Sequence, residues 1–209
     1  MRAPLMKHGL CGQDLSMGSR TVQHFVNQHC SGSDEVRDRI AVFEAVRDLP
    51  YATDQAHTAQ DLLELGRGDC LAKTALLSAA LTSLGYGSRT VRWLYELPDQ
   101  PREVRDLPSR WDLHSAVEVH IQRWLLVDAT HDSPLGRSGL IVASWDGHTS
   151  TLPAYPPRGP IWRVGIDDAE IESATADLTR LGTGRDVTGY REAFNRWLRR
   201  SRRLSAPPD

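Results

Sequence analysis

The stretch Gly66-Arg67-Gly68-Asp69-Cys70-Leu71 sets one cysteine at the junction of a glycine-rich turn and a very apolar run. Further along, Trp111-Asp112-Leu113-His114-Ser115-Ala116 carries a histidine in a strand-like segment. A second such segment, Trp124-Leu125-Leu126-Val127-Asp128, ends on a carboxylate. A thiol, an imidazole and a carboxylate are the parts of a nucleophilic acyl-transfer site: the imidazole takes the thiol proton, the carboxylate orients the imidazole, and the thiolate attacks a carbonyl carbon. The bland alternative is a cysteine that packs as a small hydrophobe, the ordinary fate of a buried free thiol. The choice turns on whether the surrounding elements can bring the three together.

Cys70 heads a helix. From Leu71 to Leu84 only Lys73, Thr74, Ser78, Thr82 and Ser83 interrupt Leu and Ala, and a helix apolar on every face belongs in the core. Asp69 is a good N-cap, Gly66 and Gly68 free the turn before it, and Gly85 is placed to stop the helix. At the first helical position the exposed backbone N–H groups and the positive end of the helix dipole favour a thiolate. The neighbouring Asp69 carboxylate disfavours one, so a cationic or hydrogen-bonding partner is required.

That partner is expected on a hairpin. Alternation puts His114, Ala116, Glu118 and His120 on one strand face and Ser115, Val117, Val119 and Ile121 on the other; Trp124, Leu126 and Asp128 share a face of the next strand. A two-residue turn at Gln122-Arg123 would pair 117 with 128 and leave His114 and Asp128 on opposite faces. A three-residue connection or a bulge brings them to one face, and that register is the one expected.

The remaining segments supply a frame. Thr21–Gln28 is ambiguous between helix and strand, Ser31-Gly32-Ser33 offers a break and a cap, and Asp34–Asp48 has the pattern of an amphipathic helix ended by Pro50. Ser88–Glu96 reads as a strand, Leu97–Arg110 as a polar loop with three prolines, and Gly139–Ser144 with Thr149–Leu152 as a hairpin about Asp146-Gly147. Pro153–Pro160 is a proline-rich connector. Asp167–Leu181 reads as a helix with Asp167 and Glu170 spaced like a capping box, and Tyr190, Phe194, Trp197 and Leu198 form the apolar stripe of a last helix. Strands in series between helices at either end make an α+β domain rather than a doubly wound sheet.

A chain of 209 residues, 40% hydrophobic, can bury one substantial core. A net charge of −2 gives no pull toward nucleic acid or an anionic membrane, and no apolar run is long enough to span a bilayer. Cys11, Cys30 and Cys70 cannot all pair and none stands in a CxxC spacing, so no disulfide framework or zinc knuckle is expected. With no apolar signal segment at the start, the expected setting is the reducing cytoplasm.

In order and spacing, Gly68-Asp69-Cys70, Leu84-Gly-Tyr-Gly-Ser-Arg-Thr-Val91, His114-Ser-Ala-Val-Glu-Val119 and Arg123-Trp-Leu-Leu-Val-Asp-Ala-Thr130 together resemble the transglutaminase-like superfamily of papain-like thiol enzymes. The likeness is tight from Leu62 to Thr130 and looser back to Leu49-Pro50-Tyr51 and forward to His131-Asp132 and Trp145-Asp146-Gly147. It implies a papain-like, transglutaminase-like core: a buried central helix with the cysteine at its N-terminus, packed on an antiparallel sheet. It implies Cys70 as nucleophile, His114 as base and Asp128 as orienter. The family often carries an aromatic residue two positions after the histidine, and Ala116 stands there instead, which would open space beside the base.

The domain expected is a loosely ordered lead-in at 1–30, a catalytic core at 31–165, and C-terminal helices with an Arg-rich tail at 166–209 on the same unit. The Cys70 backbone N–H is the first oxyanion donor, and Gln60 is the side chain proposed as the second; Asp69 and Glu118 are the supporting candidates. Trp93, Trp111 and Ala116 are candidates for the substrate cleft, as is Trp124, although large aromatics around a sheet usually pack in the core. His120, His131, Asp132 and Glu118 cluster in sequence but match no ligand spacing, so no metal and no cofactor is expected. His24 and His29 beside Cys30 read as structural, and Arg196, Arg199, Arg200, Arg202 and Arg203 as a solvated helix end. The substrate expected is a small-molecule or peptide-like acyl compound, such as a biosynthetic intermediate. Three functions fit: a bacterial transamidase or hydrolase, a natural-product tailoring enzyme that cyclises or condenses a polyketide- or peptide-derived substrate, and a binding scaffold that kept the fold without the chemistry.

Overall fold

The structure, a computed structural model, describes residues 14–53, 56–99, 101–102, 104, 109–182 and 187–204, with residues 14–20 described by their backbone. Cys11 and the first thirteen residues lie outside this set. Four helices come first: α1 (Asp14–His29), α2 (Glu35–Asp48), α3 (Ala59–Leu65) and α4 (Cys70–Ser83). Three strands follow, β1 (Gly87–Glu96), β2 (Trp111–Ile121) and β3 (Arg123–Val127). A 3-10 turn (Ser133–Ser138), the short β4 (Trp162–Arg163) and helices α5 (Asp168–Gly182) and α6 (Val187–Leu204) complete the chain. Among these residues no helix is long and apolar enough to cross a membrane.

The all-round apolarity of α4 has a direct cause: α1, α2 and α3 pack on it from one side and β1 and β2 from the other. Leu76, Leu77, Ala80 and Leu81 are fully buried, and each leucine contributes about 1.5–3 kcal/mol through removal from water. Asp69 caps the helix by accepting the N–H groups of Leu71 (2.9 Å) and Ala72 (3.1 Å), and Gly85 ends it with φ +89. The two glycines before the cap act differently. Gly66 closes α3 in the left-handed region at φ +63, whereas a Cβ on Gly68 would lie 2.9 Å from Ala72 Cβ and 3.0 Å from Leu62 Cδ1. One glycine makes the turn, and the other lets the turn press against the helix it feeds.

Lys73 fastens α4 to its surroundings. Its Nζ donates to the carbonyls of Arg47 (2.8 Å), Leu49 (2.7 Å) and Thr130 (2.7 Å). Two of these carbonyls lie at the C-terminal end of α2, where helix geometry leaves acceptors without partners; the third follows β3. Burial pulls the ammonium down to about 7 against the pull of nearby carboxylates, while three carbonyl acceptors hold all three of its protons.

The sheet is antiparallel throughout, in the order β3-β2-β1-β4. Val117 pairs with Val127 and Ile121 with Arg123, so the hairpin turns about Gln122, a left-handed residue at φ 64. The residue after Val127 therefore falls on the face of His114 and Ala116, which is the register expected. Val117 and Val119 join the core around α4, while Ala116, on the other face, joins a cluster with Val91, Trp93, Tyr95, Ala154 and Tyr155. This is an α+β, papain-like core.

Several local readings are corrected. The ambiguous Thr21–Gln28 segment is part of α1. The flanks of Asp146-Gly147 form no strands: the Asp146 carboxylate takes the N–H groups of His148 and Thr149, closing a self-contained turn. The chain beyond it bonds β3 irregularly instead, Thr151 N–H to Leu126 O and Leu126 N–H to Ser150 Oγ. Asp167 does not build a capping box, because its carboxylate is taken by the Arg163 backbone and guanidinium. Arg202 does not belong to a solvated tail: it forks onto the buried Asp132 at 2.7 Å and donates to the Tyr51 carbonyl, tying α6 to the segments beside Cys70.

Candidate active site

The residue that fixes the site is Asp128. One Oδ2 accepts the His114 Nε2–H at 2.8 Å and the Ala154 N–H at 2.7 Å; Oδ1 accepts the Thr130 N–H at 3.1 Å. His114 is 0% exposed and Asp128 1%. Burial alone would raise the carboxyl, but the His114 charge and the converging donors overcome it and hold Asp128 at about 2. Burial would likewise lower the imidazole, but the Asp128 charge and hydrogen bond, with the Cys70 thiol, push His114 up to about 10.

With Nε2 occupied, His114 Nδ1 is the free nitrogen. It is buried and without a hydrogen-bond partner among the described residues, and the Cys70 side chain is the group outside the Asp128 pair that acts on the imidazole to raise it. The ring is wedged by three aromatics, Trp93 at 4.8 Å, Tyr155 at 5.1 Å and Tyr95 at 6.0 Å between centroids, all edge-on. A ring so packed and tethered has one orientation, which is what general-base work on a thiol needs.

Asp69 opposes a Cys70 thiolate less than its charge suggests. Burial raises its carboxyl, one oxygen is held by two backbone N–H groups of α4, and the other lies 3.0 Å from His57 Nδ1. The caps go to Leu71 and Ala72, and among the described residues no hydrogen bond from the Cys70 N–H to another part of the chain competes with its use as an oxyanion donor.

Cys70 opens into a cavity of about 550 Å³. Its lining includes Tyr51, Tyr95 and Tyr155, Trp111 and Asp112 of β2, Leu178 of α5, and Tyr190 and Phe194 of α6. A second, mainly apolar recess of about 390 Å³ adjoins it, sharing Trp111 and Leu178.

The other predicted residues fall elsewhere. Gln60 does not line the cavity; its amide donates to Glu64 one turn along α3. Glu118 is ion-paired to Arg89 at 2.6 Å, Arg89 stacks over Trp124 at 4.0 Å, and neither Glu118 nor Trp124 reaches Cys70. Trp93 is fully buried beneath His114 rather than in a cleft wall, its Nε1–H given to the Tyr155 carbonyl. Ala116 is 2% exposed in the same cluster, so it opens no space beside the base: Tyr155, arriving from the proline-rich connector, occupies that region. The histidines and carboxylates of the hairpin are dispersed to separate partners, and among the described residues no three metal-binding side chains converge. Tyr51, Tyr95 and Tyr155 went unread in the sequence, with only the loose likeness at Leu49-Pro50-Tyr51 pointing toward one of them, and Arg202 reads there as part of a solvated helix end.

The family model of the transglutaminase-like superfamily matches residues 25–129. Among solved structures, a TGase aligns with 61% of this chain and 35% of its own at 12% identity and a TM-score of 0.45. A candidate cysteine protease from Cytophaga hutchinsonii aligns with 61% of this chain and 45% of its own at 19% identity and a TM-score of 0.41. This chain thus spans less than half the length of either. Comparison with curated protein sequences yields no match.

Proposed function

Because the chain belongs to the transglutaminase-like superfamily, we propose that it is a cysteine-dependent acyl-transfer enzyme working through Cys70, His114 and Asp128. The observation that carries this reading is the buried His114–Asp128 pair, which leaves one ring nitrogen, Nδ1, for the Cys70 thiol. His114 takes the thiol proton, and the imidazolium is held by Asp128. The thiolate then attacks an amide, ester or thioester carbonyl, the leaving group departs with a proton from His114, and an acyl-thioenzyme remains. Water, an amine or another nucleophile, deprotonated by His114, releases the acyl group.

A second reading keeps this chemistry and changes the job to tailoring of a small biosynthetic intermediate by condensation or cyclisation. The size of the cavity favours it: about 550 Å³ is that of a small-molecule site, with residues of α5 and α6 in its lining.

The test is acylation by p-nitrophenyl acetate, read by intact mass and peptide mapping. One acetyl group at Cys70 is expected, absent in Cys70→Ala and strongly slowed in His114→Ala. Acetylation no faster at Cys70 than at Cys30 would leave the domain a binding scaffold. Hydroxylamine as acceptor then separates transfer from hydrolysis by its product.

A further inference from the structure

The cavity that holds Cys70 also holds a cation to which the triad gives no task. Besides Cys70 and the tyrosines, its titratable lining is His57, Asp69, Arg92, Asp112 and Arg191. His57 and Asp69 meet at 3.0 Å. Arg92 is half-buried, and its Nε is sealed from solvent with no hydrogen-bond partner among the described residues. The other guanidinium groups that enter the fold are spent: Arg39 on the Gly147 carbonyl, Arg47 on Asp48, Arg202 on Asp132, and Arg89, three residues away on β1, on Glu118. A desolvated donor on a charged group is costly to leave without an acceptor, and such an exception calls for one supplied from outside.

Register places this guanidinium beside the chemistry. Arg92 is the Cα partner of Ser115, the residue after His114, so the two backbones stand about 4.5–5.5 Å apart. Arg92 and Ser115 share the sheet face turned away from His114, and from there the long arginine arm reaches the cavity that Cys70 also lines. Asp112, two positions before His114, is the carboxylate nearest in charge. Its Oδ1 accepts the Leu113 N–H at 2.8 Å, and burial raises the group against the pull of Arg191, His114 and Arg92. The field of both arginines reaches it, yet neither closes on it as an ion pair.

The charges around Arg92 say what fits. Asp69 is spent on His57 and the first N–H groups of α4, which leaves the two guanidinium groups facing Asp112 alone. That balance suits a single negative charge rather than the double charge of a phosphate. The adjoining apolar recess carries Glu170 and Asp177 and turns an anion away, so the charge belongs at Arg92.

Resting on the acyl-transfer reading above, we propose that the substrate is an acyl compound bearing a carboxylate, and that Arg92 is the residue that binds it, with Arg191 adding its charge from α6. The planar guanidinium offers the carboxylate two parallel N–H···O bonds, and the buried Nε acquires its acceptor. Arg92 stands on a strand paired on both sides, so the distance from the anchored carboxylate to the thiol is set by the sheet. The site therefore selects by length as well as by charge: the carbonyl reaches Cys70 only when the spacer between it and the carboxylate matches that distance.

Affinity labels read this binding without any acyl transfer. The N-iodoacetyl derivatives of glycine, β-alanine and γ-aminobutyrate set a carboxylate at increasing distance from the carbon that alkylates Cys70, and their primary amides are neutral controls of the same shape. At the matching length the carboxylate label is expected to saturate Cys70 at about 10-fold lower concentration than its amide, the factor one charge-assisted hydrogen bond carries, with no such preference at Cys30. The preference is expected to vanish in Arg92→Gln and to fall partway in Arg92→Lys, which keeps the charge and loses the fork. A parent protein without preference at any length overturns the proposal, and needs no variant to fold. A preference that survives Arg92→Gln overturns it too, including the case where both labels slow alike, as they would if Arg92 only supported the fold. An N-iodoacetyl aminoalkylphosphonate that saturates below every carboxylate overturns the carboxylate in favour of a phosphate. A parent that prefers the carboxylate label but is never acetylated by p-nitrophenyl acetate refutes the acyl-transfer reading alone, a result distinct from all of these.

Discussion

Asp128→Asn removes one charge and keeps the shape, which makes it the sharpest probe of how Cys70 is activated. In the parent, the His114 and Asp128 charges face each other across a 2.8 Å hydrogen bond with neither group exposed to water. With charge centres roughly 4 Å apart and an effective dielectric of ~20, their attraction is about 4 kcal/mol. At about 1.36 kcal/mol per pKa unit, that is roughly three units, enough to account for most of the rise of His114 from 6.5 to about 10. Without the charge, burial is left to act almost alone and drives the imidazole below its ordinary value. An asparagine must also present its NH₂ to one of three donors, from His114, Ala154 and Thr130. The variant should therefore hold a neutral His114 at about pH 7, and Cys70 should lose its imidazolium partner. The assay is the rate of iodoacetamide alkylation at Cys70 across pH, followed by mass spectrometry with Cys30 as internal reference. A fall of 10- to 100-fold at about pH 7, closing at alkaline pH, is expected from a loss of about 1.4–2.7 kcal/mol of the pair's attraction at the thiolate. A rate that follows the parent at every pH would refute the chain of reasoning from Asp128 through His114 to the thiol.

Three further outcomes follow from the same geometry. His131 is held neutral down to about 4 when folded, against 6.5 in an open chain, so below about pH 6.5 the unfolded state binds more protons and stability falls, by up to about 3 kcal/mol near pH 4. His114, raised to about 10, has the opposite sign: its contribution is complete below about pH 6.5 and lost toward pH 10. The melting temperature should thus peak near pH 6.5, and a flat profile on the acid side contradicts the burial of His131. Asp132→Ala strands the Arg202 guanidinium and the Tyr51 N–H and should cost about 3–5 kcal/mol in urea unfolding, with Asp132→Ala/Arg202→Ala costing less than the sum of the two single changes. Gln60→Ala should leave acetylation of Cys70 within about twofold, since its amide is spent on Glu64; a fall of 100-fold would return it to the oxyanion site.

The parts of the site that sequence made legible are those governed by local rules. The cap at Asp69, the stop at Gly85, the all-round apolarity of α4 and the period-2 faces of β2 all follow from residues a few positions apart. Even the hairpin register was narrowed to two choices by the demand that His114 and Asp128 share a face, and the left-handed Gln122 realises one of them. What sequence hid depends on segments far apart. Nothing in a proline-rich connector announces that Tyr155 will pack on His114, or that Ala154 will give its N–H to Asp128. Arg202 resembles its arginine neighbours on the last helix until α6 docks and Asp132 is found beneath it. The hairpin expected at Asp146-Gly147 failed for a similar reason: the turn chemistry is there, but its flanks are claimed by Arg47, which donates to the Ala143 carbonyl at 3.4 Å, and by the edge of β3.

Lys73 carries a last consequence, for amine chemistry. Apart from it, Lys7 is the chain's one lysine; the other cationic side chains are arginines, whose guanidinium groups stay protonated and do not act as nucleophiles. With Lys73 1% exposed and all three of its hydrogens committed to carbonyls, no lysine among the described residues is presented to an acyl-thioenzyme. In a transamidation experiment the protein is close to a silent background: mass that appears on an added amine came through Cys70, and self-modification is read at two countable amines, Lys7 and the chain's α-amino group.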